Sequence, residues 1–341
     1  MERVAWIGPQ TMLNYRNIIL NACTIGVYLG GSQVAMAHTD HSGPLTPDHL
    51  WHAWNFDPWL LVPLALSALL YLAGVYRLWK RAGVGRGISA VRVAAFSIGV
   101  LSLVVALISP LDTLGETLLS AHMVQHGLLI AVAPPLILAG LPGAAYAWML
   151  PVEWRRRLAR FAPGRTFAAS IAWMMSPLIA AAIHGAVLWI WHVPLVFDAA
   201  LADRRLHMTE HFTFLATALL FWQSLLLARR STSTSVAGMA AAFATMLHGG
   251  FLGALITFSP NVLFGWYIGR TEFWGLTALA DQQLAGLIMW VPLGIVYFLT
   301  SLFLAAALVP VASAYSAPGR GEPIRLQDLR NRATPPGFVR R

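Results

Sequence analysis

"AHMVQHGLLIAVAPPLILAGLP", residues 121–142, decides the fold. The stretch has no Asp, Glu, Lys or Arg. It is long enough to cross roughly 30 Å of hydrocarbon as an α-helix, which takes about 20 residues. Yet it opens on two histidines four residues apart and carries Pro134 and Pro135 in its middle. Each proline removes a backbone donor and crowds the preceding turn, so the span should kink just below His126. Gly127 and Gly140 flank that kink and permit close helix approach. The expectation is a cavity opened by the kink, with the histidines pointing into it.

The rest of the chain is of the same kind. Of 341 residues, 57% are hydrophobic and 11% charged, and 14 are Trp. Soluble domains carry about twice that charge. Apolar stretches of spanning length lie near 58–79, 91–109, 118–141, 168–193, 208–227, 236–258 and 283–309. The predicted fold class is all-α: a polytopic membrane bundle of seven transmembrane helices over 58–309, with no internal repeat and no second domain. A net charge of +9 would suit nucleic acid if it formed a patch. It lies instead in short loops between apolar runs, which argues against a nucleic-acid partner and for membrane lipid.

Those loops set the orientation. Lys and Arg gather after the first span (Arg77, Lys80, Arg81, Arg86, Arg92), after the third (Arg155, Arg156, Arg157, Arg160, Arg165), after the fifth (Arg229, Arg230) and in the tail. By the positive-inside rule these segments face the cytoplasm. Alternate segments hold Asp40, Asp48 and Asp57, or Asp112 and Glu116, and face outward. Residues 310–341, rich in Pro, Gly and Arg, read as a disordered cytoplasmic tail. The expected location is the bacterial cytoplasmic (inner) membrane, with the mature N-terminus outside and the C-terminus inside.

Residues 1–37 have a basic start, a moderately apolar middle and Ala35-Met36-Ala37 at the end. That is the pattern of a signal peptide cleaved before His38; the alternative is an uncleaved extra helix. Cleavage would remove Cys23, the only cysteine, leaving His, Met, carboxylate or backbone to hold any soft metal. It would also expose a His-rich arm over 38–57, in which the α-amino group and His38 could chelate copper with His41, His49 or His52.

The 11 histidines all fall on outward segments or within spans. His122, His126, His184, His192, His207, His211 and His248 lie on four spans, towards the outward face. A lone intramembrane histidine is commonly a packing residue, but seven facing one side indicate a polar interior with a task. His122/His126 and His207/His211 are i,i+4 pairs, each aiming two imidazoles from one helix face. Imidazole suits Cu, Zn, Fe and Ni, and bis-histidine sets between helices also hold b-type haem. His184 and His192 share a face but lie roughly 12 Å apart along the axis, too far to share an ion. Asp281 opens the seventh span, either as a helix cap or as a metal ligand or its orienting partner. Met123, Met208, Met246 and Met289 are candidate thioether donors or core filler. Trp51, Trp54 and Trp59 suit an outer aromatic belt.

The stretches "AHMVQHGLLIAVAPPLILAGLP", "HGAVLWIWHVPLVFDAAL", "LHMTEHFTFLATALLFW" and "DQQLAGLIMWVP", in this order, resemble the signatures of the polytopic CtaG-type cytochrome c oxidase assembly proteins over about residues 50–309. The resemblance implies a seven-helix membrane protein needed to mature a haem-copper oxidase through copper handling. It carries His122, His126, His184, His192, His207, His211 and Asp281. His248 and the arm histidines come from placement alone. The implied partners are cytochrome c oxidase subunits and periplasmic copper chaperones. Copper is the expected metal; the alternative is haem, in a b-type membrane electron carrier, and a third reading is a metal-free scaffold for oxidase subunit insertion. No nucleophile triad, phosphate loop or hydride-cofactor fingerprint is present, so an assembly factor is expected and not an enzyme. Distance from each span's end predicts two layers: His122, His192, His207 and Asp281 outermost, His126, His184 and His248 deeper, and His211 between.

Overall fold

The computed structural model describes residues 43–160, 164–229, 231–306 and 308. Residues 1–37, expected to be a signal peptide or an extra helix, with Cys23, and also His38, His41 and the whole tail 310–341, lie outside the described residues. Among those residues the chain is helical, with no strand. The helices are α1 (Pro58–Ala82), α2 (Ala90–Leu107), α3 (Pro110–Gly115), α4 (Leu119–Gly127), α5 (Ala133–Ala139), α6 (Pro142–Met149) and α7 (Val152–Arg160). After these come α8 (Arg165–Met174), α9 (Pro177–Trp191), α10 (Pro194–Ala202), α11 (Arg204–Ala228), α12 (Thr232–Phe258) and α13 (Ala278–Ala306).

Six segments are long and apolar enough to cross a membrane: α1, α2, the run Leu119–Ala139, α11, α12 and α13. A seventh is obtained if α8 and α9 are taken as one span broken by a bend of 68°. The all-α polytopic bundle is therefore as expected, but the stretch 168–193 is not one straight helix. Pro177 explains the break. It cannot donate to a preceding carbonyl, and it disfavours helical geometry at Ser176. Ser176 accordingly adopts an extended conformation as the N-cap of α9.

Side-chain caps fix where α1, α2, α11 and α12 start. Asp57 accepts from Trp59 N, Ser89 from Arg92 N, Asp203 from Arg205 N and Leu206 N, and Ser231 from Thr234 N. Each satisfies a donor that a helix start leaves free. Asp57 also pairs with Arg204, tying the start of α1 to the start of α11. Leu69, Leu101, Phe251 and Leu299 on the long helices point out of the bundle, as lipid-facing residues do. Helices α12 and α13 pack closely along much of their length. A Cβ at Gly286 would lie 2.6 Å from the Gly253 carbonyl oxygen, so only glycine allows this approach.

The opening stretch is where the backbone departs most from ideal helix. Between α4 and α5, residues Leu128–Val132 form a π-helical turn in which Ala133 N–H reaches back to the Leu128 carbonyl. Pro134 cannot donate to the Ile130 carbonyl; the indole Nε1–H of Trp222 on α11 does so instead, at 2.8 Å. The expected kink thus takes the form of a π-bulge, and a neighbouring helix satisfies the carbonyl left free, as tolerance of proline in a membrane span requires.

Candidate metal centre

Helix α4 carries His122 and His126, α11 carries His207, Glu210 and His211, and His192 ends α9 as its C-cap. Packing of α9 and α5 on α11 brings the three histidine-bearing segments together. The Nε2 atoms of His122 and His126 lie 2.8 Å apart, with the rings nearly perpendicular at 89°. The His207 and His211 rings are 4.2 Å apart. His122 lies 5.3 Å from His207 and 6.0 Å from His211, and His126 lies 5.7 Å from His211 and 5.9 Å from His192, between ring centroids. Five imidazoles from three helices therefore share one buried space.

A carboxylate sits among them. Glu210 is fully buried, with Oε1 3.5 Å from His126 Nε2 and Oε2 4.0 Å from His122 Nε2. One ligand atom each from His122, His207, Glu210 and His211 lie within 4.8 Å of one another. Bonds of about 2.0–2.2 Å to an ion place ligand atoms within about 4.4 Å of each other, so small side-chain movements would complete a first shell. Both Glu210 oxygens, His126 Nδ1 and the Nε2 atoms of His192, His207 and His211 are buried without hydrogen-bond partners. Leaving buried polar atoms unpaired costs about 1–3 kcal/mol each, and more for a charge. With each ring proton on the other nitrogen, the imidazole atoms left over are electron-pair donors, as the carboxylate oxygens are, and a cation among them would satisfy the set.

The imidazoles are oriented from outside the cluster. His192 Nδ1 lies 2.7 Å from the Leu188 carbonyl, and His122 Nδ1 lies 3.3 Å from that of Gly115. An N–H donated there leaves Nε2 with its lone pair, the arrangement that fixes ligand histidines in metal sites. Tyr267 donates its hydroxyl to the same Gly115 carbonyl at 2.8 Å. Burial, with Asp281, Glu210, Glu116 and Asp198 nearby, raises its phenol well above the usual range and keeps it a donor.

Asp281 is outside the cluster. Its carboxylate accepts from Leu119 N at 2.6 Å, Ser120 N at 3.2 Å and Ser120 Oγ at 2.5 Å. It caps α4 from across the bundle and so holds the helix that bears His122 and His126. Gln125 braces the same helix, donating to the Ala106 carbonyl at 2.8 Å and to Asp112 at 2.6 Å; Asp112 also accepts from Asn55 at 2.8 Å.

The remaining histidines lie elsewhere. His184 Nδ1 is 3.0 Å from Thr217 Oγ1, which itself donates to the Thr213 carbonyl. His248 packs its ring on Gly185, where a Cβ would meet Nε2 at 3.0 Å. The expected layering is thus altered: His126 belongs with the outer histidines, and His184 and His248 stand apart below them. His49 and His52 lie on an exposed 3₁₀ turn, Pro47–His52, and His49 bonds Thr46. Met123 and Met289 are buried, and Met208 is partly exposed. Trp51, Trp54 and Trp59 are exposed, as a belt needs. Glu210 is the site residue the expectations omitted. Its signal was present, since a carboxylate in the middle of a spanning window is costly and needs a partner.

Comparison with curated proteins and with solved structures gives no match. Residues 69–310 match the family described as cytochrome c oxidase caa3 assembly factor (Caa3_CtaG), and with that match covering most of its length the chain belongs to this family.

Proposed function

We propose that the histidine–glutamate cluster binds copper at the outward face of the bacterial cytoplasmic membrane. The protein then supplies it, as a carrier and not an enzyme, to a subunit of a haem-copper cytochrome c oxidase during assembly. One observation carries this reading: a fully buried Glu210, neither of whose oxygens has a hydrogen-bond partner, in a cluster where the Nε2 atoms of His192, His207 and His211 also have none. Imidazole and carboxylate donors suit several divalent metals, among which copper binds most tightly at a given site. The family's role in oxidase assembly gives copper a destination. Without thiolate among the donors, the ion can be held and still given up.

Positive-inside placement of the arginine loops puts the cluster outward, where periplasmic copper chaperones could load it. His122 and His126 in direct contact suit a single ion better than a porphyrin, which needs space between its axial imidazoles. The test is the metal content of protein purified in mild detergent after loading with copper. Wild type should retain copper, and the His122→Ala/His207→Ala double variant should lose it. If wild type retains none under oxidising or reducing conditions while the oxidase still matures, the protein acts as a metal-free scaffold.

A further inference from the structure

We infer that the ion crosses the cluster from His207 to His192. It then leaves sideways, through an apolar groove between α9 and α12, to a metal-ligating side chain on a membrane-embedded segment of the acceptor protein. This inference rests on the copper reading above.

The cluster is roofed. Phe197, Phe264 and Tyr267 are buried and pack over it, with Phe197 5.1 Å from the His122 ring and 4.5 Å from Phe264. The roof is pinned at several points. The Asp198 carboxylate accepts from Gly265 N at 3.1 Å and Trp266 N at 3.4 Å, and Tyr267 is held on Gly115. An ion therefore has little direct access from above. His207 is the one cluster histidine that is half-buried, and it lies in the first turns of α11 beside the exposed Arg204, Arg205 and Leu206. That makes it the water-side approach.

His192 stands at the opposite edge. It is only 5% exposed and its buried Nε2 has no partner, and the residue lines a groove of about 730 Å³. Apart from His192, Ser259 is the only polar side chain in the lining. The walls include Phe251, Leu255 and Phe258, exposed by 59%, 46% and 71%, on a helix apolar enough to cross a membrane. Residues of that kind meet hydrocarbon, so the occupant arrives through the bilayer. A lipid chain would fill the apolar volume but bring nothing to Nε2. A second copy of this chain would bring another donor of the same strength and no destination. An apolar segment carrying His, Met or Cys matches both the walls and the unpartnered nitrogen of the histidine that stands between groove and cluster. The step is ligand exchange: the bond from the ion to His192 Nε2 breaks as a bond to the acceptor's ligand forms, with no change of oxidation state.

Ala254 lines the groove from α12 and is not one of the cluster residues. In Ala254→Trp, bound copper in the purified protein should stay at the wild-type level while copper in the oxidase from the same cells falls at least tenfold. The retained copper shows that the variant is folded. Leu255→Trp, on the exposed wall, repeats the test should the first variant fail to accumulate. His192→Ala should lower transfer more than it lowers bound copper, whereas His207→Ala should slow loading and recover at high external copper. A photo-crosslinking residue in place of Leu255 should capture an oxidase subunit, identified by mass spectrometry. Normal oxidase copper in both groove-filled variants, or crosslinks only to lipid or to a second copy, would overturn the lateral route. Failure of the copper reading itself would show separately, as wild-type protein without copper.

Discussion

Asp281 and Glu210 are both buried carboxylates at the histidine end of the bundle, and the structure treats them oppositely. Asp281 accepts three hydrogen bonds and closes the start of α4. Glu210 accepts none and lies among imidazoles. The first is saturated by the protein, so it acts on stability. The second is left open, so it acts on what the protein takes in. Saturation of the acceptor, more than burial or residue type, separates a brace from a candidate ligand.

That contrast can be broken most directly at Asp281. Asp281→Ala strips three buried donors of their acceptor, at about 1–3 kcal/mol each, so a loss of at least about 3 kcal/mol is expected in detergent unfolding. A loss below about 1 kcal/mol would mean that Asp281 is no brace. Glu210→Gln should act in the other direction. Copper affinity should fall about 10- to 100-fold in a competition titration, while the metal-free protein unfolds no more easily than wild type, because no hydrogen bond within the fold depends on the Glu210 carboxyl. A clearly lower melting temperature would show that Glu210 is satisfied within the fold.

Smaller effects sharpen the picture. Trp222→Phe removes the donor to Ile130 and should cost about 1–2 kcal/mol, with copper binding weakened through the displaced α4. Asp112 lies outside the spans, and burial pushes its carboxyl up to about 6, against the hydrogen bonds from Asn55 and Gln125. A raised acid binds its proton more tightly folded than unfolded. Stability should therefore fall as pH rises from about 4 to 6 and then level off. Asp112→Asn should flatten that slope, with melting curves at pH 4 and 7 as the readout. A wild-type protein that gains stability over this range would contradict the sign.

Much of this arrangement was legible in the residues. The spanning runs, the i,i+4 pairs and the proline-disturbed third span follow from periodicity and from what lipid forbids. Pro177 also announced its break, but the hydropathy of the surrounding run masked it. Glu210 was concealed in the same way, as one acid in the apolar window that follows His207. The role of Asp281 was not legible at all. Its donors lie more than 160 residues away in sequence, and only packing of α13 on α4 creates the cap. Likewise, spacing placed His126 a turn below His122, and it took α11 crossing both to make them one site.

The π-turn at Leu128–Val132 holds one residue more than an α-helical path would need. Each residue in an α-helix advances the azimuth by about 100° and the axis by 1.5 Å. The π-turn therefore absorbs the surplus residue and holds the phase between the upper half of the span, with its two imidazoles, and the lower half packed on α2. Deleting Ala131 would remove the turn and leave that phase unchanged. Rewinding the same residues to ordinary α pitch without a deletion would instead swing the pair His122/His126 by about a quarter of a turn away from α11. A hydropathy profile would register neither change, yet in the second the ligands would no longer converge. The angular address of the site is thus held by one loosened turn below it.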